Sequence, residues 1–370
     1  MILLEFYSKK IYRNKFNLIL LVILAVIMGL SLYFNNNSNS LISTVKMEQN
    51  DLKAMQSNIA NNAEQNAAFT EQIENNERFF SYYESGEYSK AYATRIEKLV
   101  KIREISANTT NIESDLRVLD EIIAELEALA EHNLEYDSVF TPTKGFNFMA
   151  YSTVNSLVPY LLIPSLILIM TSLFTDSYKR NLNIDLTYPL KLTELRMSKF
   201  VTALFYSIIS YLIYMLVSFG LSSLISGIGS FNYPLVAYGE DGISMHVYDT
   251  LTIMLGSIAI HFLLLVLLVL LVLLLSDYIR NRLYLFFVIL LIVYSQVLVV
   301  PLIPPLYGIS HLFPFYYLNA KSIISYESAF LLGNLNLNFK TGILVITGYI
   351  VLLSSIIFTN NFKNQKRMEN

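Results

Sequence analysis

Six long apolar runs alternate along this chain with segments of ordinary polarity. They cover about 17–34, 154–174, 200–226, 251–275, 283–300 and 342–360. Windows of about 20 residues without any charge fall inside them, and a helix of that length crosses a hydrocarbon core about 30 Å thick. In lipid the backbone must satisfy its own hydrogen bonds, which a helix does within one segment. The pattern predicts an all-α polytopic membrane protein with six transmembrane helices. The first run follows Lys9, Lys10, Arg13 and Lys15, a flank that imitates a signal peptide. It is long enough to span and leads into Asn-rich sequence without a small-residue cleavage site, so it reads as an uncleaved span.

The segment 35–152 has a different rhythm. In "NIESDLRVLDEIIAELEALAEH", Ile112, Leu116, Leu119, Ile123, Leu126 and Ala130 recur by alternating fours and threes, the seam of a coiled coil or bundle. Leu52, Met55, Ile59 and Ala63 repeat the spacing more weakly, and "GEYSKAYATRIEKLVKIREI" is a third helical candidate. Gly86 and "SANTTN" are breaks between them. The expected organisation is an N-terminal interfacial helix with the first span (1–34), an extracellular, coiled-coil-like α-helical domain (35–152), and a five-helix transmembrane domain (153–370).

Charge sets the expected orientation. Of 370 residues, 54% are hydrophobic and 15% charged, against about 25% charged in a soluble protein. Lys and Arg in short loops collect on the cytoplasmic side. With the N-terminus inside, fourteen fall there: four before the first run, five in 175–199, Arg280 and Arg282, then Lys363, Lys366 and Arg367. The opposite short loops hold two, Lys321 and Lys340. Both termini are thus expected in the cytoplasm. The helical segment carries nineteen Asp/Glu against ten Lys/Arg, about −9, while the whole chain is −3. That excess reads as solubility for an exposed domain, or as electrostatic capture of a cationic ligand such as a basic peptide.

Two connecting segments depart from ordinary loops. "PLIPPLYGISHLFPFYYLNAKSIISYESAFLLGNLNLNFKTG" is aromatic and broken by four prolines. Short helices dipping into the outer leaflet fit it, because irregular backbone survives at membrane depth only when buried in protein. "TDSYKRNLNIDLTYPLKLTELRMSKF" lies between the second and third runs. It predicts a short amphipathic helix, a turn at Tyr188-Pro189, and a second helix capped near Thr193 that continues into span three. Leu182, Ile184 and Leu186 need a partner to cover them.

This second segment resembles the cytoplasmic coupling loop of type-2 ATP-binding-cassette (ABC) exporter permeases, through Asp176, Lys179, Arg180, Leu186, Pro189, Leu190, Thr193, Glu194 and Lys199. Asn181-Leu182 stands where that family often has Gly-Thr, and Leu192 where it often has Ser or Arg. "MILLEFYSKKIYRNK" is similar to the family's elbow helix, with Glu5, Lys9 and Lys10 toward the cytoplasm. The proline-broken outer loop resembles its outer-leaflet helices. The likeness covers about two-thirds of the chain. The large insert is similar to that of the subgroup with sodium- or peptide-exporting permeases and phage-infection-type membrane proteins.

The resemblance implies a permease subunit in a bacterial plasma membrane, exporting an amphipathic peptide or lipid-like substrate. Asp176, Leu182, Ile184, Asp185, Leu186, Tyr188, Pro189, Leu190, Thr193 and Glu194 would meet the ATPase. The alternative is a plain connector whose charges only fix topology. No "G-x-x-x-x-G-K-[ST]" occurs, so this chain is expected to bind no cofactor, with ATP and Mg²⁺ on a separate ATPase subunit present in two copies. A second permease copy, identical or not, and membrane lipids are the other expected partners; nucleic acid is not.

Other chemistry is thin. The chain has no cysteine, which excludes disulfides and thiol catalysis. His132, His246, His261 and His311 have no metal-ligand spacing. His261 lies inside span four, where an ionisable side chain is a functional candidate, although a neutral histidine bonded to a neighbouring helix explains it as well. Tyr294 and Gln296 read as helix-packing groups, and Asn108-Thr109-Thr110 as a formal glycosylation sequon. With no nucleophile–base pair visible in the spans, a membrane enzyme is a distant reading. A non-transporting receptor, immunity or scaffold protein displaying the acidic domain is the nearer alternative.

Overall fold

The computed structural model describes residues 2–38, 41–58, 63–109, 113–154, 157–179, 182–183, 192–241 and 244–369. Nearly all of it is helical, and six helices are long and apolar enough to cross a membrane. The amphipathic helix α1 (Ile2–Tyr12) precedes α2 (Lys15–Ser38). Four helices follow as a layer: α3 (Leu41–Asn58), α4 (Ala63–Glu84), α5 (Tyr88–Thr109) and α6 (Glu113–Glu131). Next come α7 (Gly145–Val154), a π-helical turn at Val158–Leu162, and α8 (Ile163–Thr175). The remaining long helices are α9 (Leu192–Ser226), α10 (Thr250–Ser276), α11 (Arg282–Val299) and α14 (Phe339–Glu369), with the short α12 (Ala320–Ile324) and α13 (Glu327–Leu332) ahead of the last.

The centre of the span body is α10. It is the most apolar of the six and packs against α7, α8, α9, α11, α12 and α14. A helix that is hydrophobic all round has no solvent face to offer, so it belongs inside; Ile260, Leu264, Leu265, Leu268, Val269 and Val272 are all essentially inaccessible. Asn281 caps α11, its Oδ1 accepting from the amides of Leu283 and Tyr284 at 2.9 and 3.3 Å. That satisfies donors the helix start leaves orphaned.

In the helical layer, neighbours in sequence pack on one another: α3 on α4, α4 on α5, α5 on α6. Its core comprises Val45, Phe79, Tyr83, Ala91, Tyr92, Leu99, Ile123, Leu126 and Leu129, and it also takes in Tyr233 from far along the chain. Within the expected seam, Ile123 and Leu126 are buried and Leu119 and Ala130 half-buried; Leu129 joins them fully buried. Each of the fully buried leucines contributes about 1.5–3 kcal/mol. Gly86 makes the α4–α5 turn possible: at φ +79° it lets the amide of Glu87 reach the carbonyl of Tyr82 at 2.9 Å, ending α4 in a Schellman motif. Asn133 ends α6 in the same way at φ 47°, and its Oδ1 accepts from the amide of Ser89 at 3.0 Å, pinning the end of α6 to the start of α5.

Two features were not foreseen. The connector before α10 forms an antiparallel hairpin, β3 (Pro234–Tyr238) with β4 (Met245–Asp249). A smaller pair, β1 (Tyr178–Lys179) with β2 (Leu182–Asn183), follows α8. Leu182 and Asn183, where a short amphipathic helix was expected to begin, are therefore extended, and the rest of that stretch lies outside the described residues. The proline-rich segment does form short helices: 3₁₀ turns at Val300–Leu302, Pro304–Leu312 and Pro314–Leu318, then α12 and α13. Phe315, Tyr316, Tyr317, Leu318 and Ile323 are buried there, and Gln296 Oε1 accepts from the amide of Phe315 at 2.8 Å.

Candidate functional site

The expected coupling residues converge, as far as they are described, at the end of the molecule where α8 stops and α9 starts. Asp176 follows the last turn of α8 and meets Lys10 of α1 at 3.2 Å. Leu182 falls in β2. Ile184, Asp185, Leu186, Tyr188, Pro189 and Leu190 lie outside the described residues. Helix α9 begins at Leu192, so Thr193 sits in its first turn, half-buried, with Glu194 exposed beside it. A carboxylate there faces the positive end of the helix dipole.

Three contacts tie this end together. The ammonium of Lys199, on a nearly inaccessible side chain, donates to the hydroxyl of Ser177 and lies 5.5 Å from the ring centre of Tyr7. Arg196 Nη2 donates to Asp277 Oδ1 at 2.6 Å, joining the start of α9 to the end of α10. Burial raises the Asp277 carboxyl, and the Arg196 charge opposes that rise. On α1, Tyr7 and Ile11 are buried, while Glu5 and Lys9 pair at 2.5 Å on the exposed face. These contacts tie α1 and the ends of α8, α9 and α10 to one another.

His261 is fully buried and connects three elements. Its Nδ1 lies 2.9 Å from the hydroxyl of Tyr211 on α9, and its Nε2 3.2 Å from the carbonyl of Leu318. The neutral ring with hydrogen on Nε2 satisfies both contacts, accepting from the phenol and donating to the carbonyl. Buried and bonded through both ring nitrogens, it is a brace between α9, α10 and the 3₁₀ turns. Tyr294 packs comparably, its hydroxyl donating to the carbonyl of Pro159 at the π-helical turn.

Sequence reasoning missed a second polar site, at the opposite end. Arg117, Glu121 and Glu125 stand at successive turns of α6. The Tyr238 hydroxyl of β3 donates to Glu121. The Tyr238 ring stacks on Phe330 of α13, centroids 5.1 Å apart and 16° from parallel. The Arg117 guanidinium lies 3.7 Å from the Phe330 ring centre and 4.4 Å from that of Tyr238. Glu125 Oε1 is buried without a hydrogen-bond partner. Burial pushes its carboxyl up to about 7, and Lys321 of α12 is the charge that opposes this. Lys321 is itself lowered by burial, against the attraction of Glu327 and Glu125. The i, i+4, i+8 spacing of these α6 residues was visible in the sequence; their partners, more than a hundred positions away, were not.

Below this interface Asp137 is 1% exposed. Its carboxylate accepts from the Thr143 amide (2.8 Å), the Thr143 hydroxyl (3.1 Å), the Lys144 amide (3.1 Å) and Asn147 Nδ2 (2.9 Å). Its own amide donates to the Tyr233 hydroxyl at 3.0 Å. Burial raises this carboxyl, and the four donors oppose the rise. A cavity of about 30 Å³ lined by Asp137, Asn147, Tyr233 and Lys321 lies alongside, room for a water or two.

No family model matches the chain, and neither the curated proteins nor the solved structures contain a match to it.

Proposed function

We propose that this chain is the permease subunit of an ATP-driven exporter in a bacterial plasma membrane, with both termini cytoplasmic and the helical layer α3–α6 outside. Two copies of a separate ATPase, carrying the ATP and Mg²⁺, and a second permease copy complete the unit. The substrate moving outward is an amphipathic peptide or lipid-like molecule, suited to uncharged spans. The observation that carries the reading is the Lys10–Asp176 contact at 3.2 Å. It holds the elbow helix to the root of the loop resembling a coupling loop, so a push on that loop moves α1 and α8 together. The Lys199–Ser177 bond extends the unit to α9. Subunit closure on ATP then becomes a rigid-body tilt of two spans.

Co-purification tests it. The solubilised wild-type chain is expected to retain its ATPase, and a Glu194→Arg, Leu186→Asp double variant to lose it while keeping its helicity. Failure of both chains to bind any ATPase rejects the reading. The excess of acidic residues in 35–152 favours a second reading, a non-transporting receptor, immunity or scaffold protein. There, removing residues 45–135 abolishes function and the double variant is silent.

A further inference from the structure

The chain enters α8 through the π-helical turn Val158–Leu162, and two prolines decide the hydrogen bonding there. The amide of Ile163 donates to the carbonyl of Val158, five positions back. An α-helix would give that amide to Pro159, four back. In the π register the donor for Pro159 is residue 164, a proline without an N–H. The Pro159 carbonyl is thus left over on a buried residue, where an unbonded acceptor is costly. The Tyr294 hydroxyl of α11 donates to it.

Pro164 also shapes the alternative. In an α-turn Ile163 bonds Pro159, Tyr294 is released, and the carbonyl that Pro164 fails to serve becomes that of Tyr160. Each register therefore has one carbonyl for which the backbone offers no donor, and the structure supplies a side chain for the one of the π register. Two arrangements that differ by so little lie close in free energy, as a two-state element requires. Single π-turns within helices are rare and concentrate where helices do work.

We propose that this turn is the hinge of α8 and that the Tyr294 hydroxyl is its latch. Bonded, Tyr294 holds the π register. Released, the turn passes to the α register and α8 advances by about one residue, about 1.5 Å along its axis. Helix α8 has 13 residues, so it is about 20 Å long. At its far end Asp176 meets Lys10, and Ser177 meets Lys199, so displacement at the candidate coupling end arrives at the turn. That last step rests on the function proposed above; the latch itself does not.

The test is amide hydrogen exchange on the full chain in detergent, resolved to single residues along the turn and α8. Wild type is compared with Tyr294→Phe, Pro164→Ala and the double variant. Phenylalanine keeps the ring that packs 6.4 Å from Tyr160 and removes the donor alone. Tyr294→Phe is expected to speed exchange at Leu162 and Ile163 about fivefold, the worth of one net hydrogen bond, with Leu166 to Thr175 unchanged. Alanine at 164 restores an N–H, so the Pro159 carbonyl no longer depends on Tyr294. In that background Tyr294→Phe is expected to change exchange by less than about twofold. An equal effect in both backgrounds overturns the proposal, as does no effect in either or faster exchange along the whole of α8. Loss of ATPase co-purification with this exchange pattern intact rejects the exporter reading alone.

Discussion

The hydroxyl of Tyr238, on the hairpin before α10, donates a 2.5 Å hydrogen bond to Glu121 on α6, 117 positions earlier. That bond fastens the helical layer to the body of long helices. Around it the Tyr238 ring stacks on Phe330 and the Arg117 guanidinium lies against both rings, so one tyrosine serves α6, the hairpin and α13 at once.

Removing the hydroxyl isolates the hydrogen bond from the stack. Tyr238→Phe keeps the ring and is expected to weaken docking of α6 by about 1 kcal/mol, a partly solvated bond to a carboxylate. Tyr238→Ala loses the stack as well and is expected to cost more. Amide hydrogen exchange along α6 reads both effects; equal protection in wild type and Tyr238→Ala contradicts them.

Docking of α6 is expected to depend on pH. The Glu125 carboxyl sits at about 7 when docked and near its ordinary 4.5 when released. Between those values the docked state holds a proton that the released state does not, so docking weakens as pH rises through that window and levels off above it. Besides Lys321, the titratable groups facing Glu125 are Tyr136 and Tyr233, whose own shifts reflect its charge, with Glu121 and Arg117 one and two turns earlier on α6. Glu125→Gln is expected to flatten the pH dependence of α6 exchange between 4.5 and 7. An unchanged slope assigns it to another group.

Asp137 is the junction's most connected carboxylate. Asp137→Ala leaves the amides of Thr143 and Lys144 and the Asn147 side chain without their buried acceptor. The expected destabilisation is about 3 kcal/mol or more, seen as a lower thermal midpoint in detergent. Asp137→Asn keeps one acceptor oxygen and is expected to fall between.

His261 serves as a brace, so its substitutions should track hydrogen bonding and not charge. His261→Phe strands the Tyr211 hydroxyl and the Leu318 carbonyl and is expected to cost about 2–3 kcal/mol. His261→Gln retains a donor and an acceptor and is expected to recover part of that in the same melting experiment. Normal stability in the Phe variant together with lost activity would point to chemistry at this residue.

Much of the architecture was legible from local pattern. The run at 251–275 is α10 to within a residue at each end, because a helix apolar on every face has no competing solution. The run at 200–226 ends where α9 ends, and the helix begins at Leu192, within a residue of the start expected near Thr193, its charged first turns packing on α1. The seam spacing found α6, and Leu129 joined it because the helix turns its buried face into a shared core. At the candidate coupling end, the resemblance named Asp176, Thr193 and Glu194, which the fold brings to one end. Lys10 was assigned to the elbow helix, and its contact with Asp176 came only from the structure.

Hydrophobic periodicity is a short-range property, set by a few turns of chain, and by itself it determined six apolar helices and a helical layer. Whether Glu121 meets Tyr238, whether Asp137 gathers four donors, and whether Tyr294 reaches the Pro159 carbonyl were decided by the tertiary structure. Each depends on groups tens to more than a hundred residues apart, whose meeting is selected by the packing of whole helices and leaves no spacing in the sequence to read.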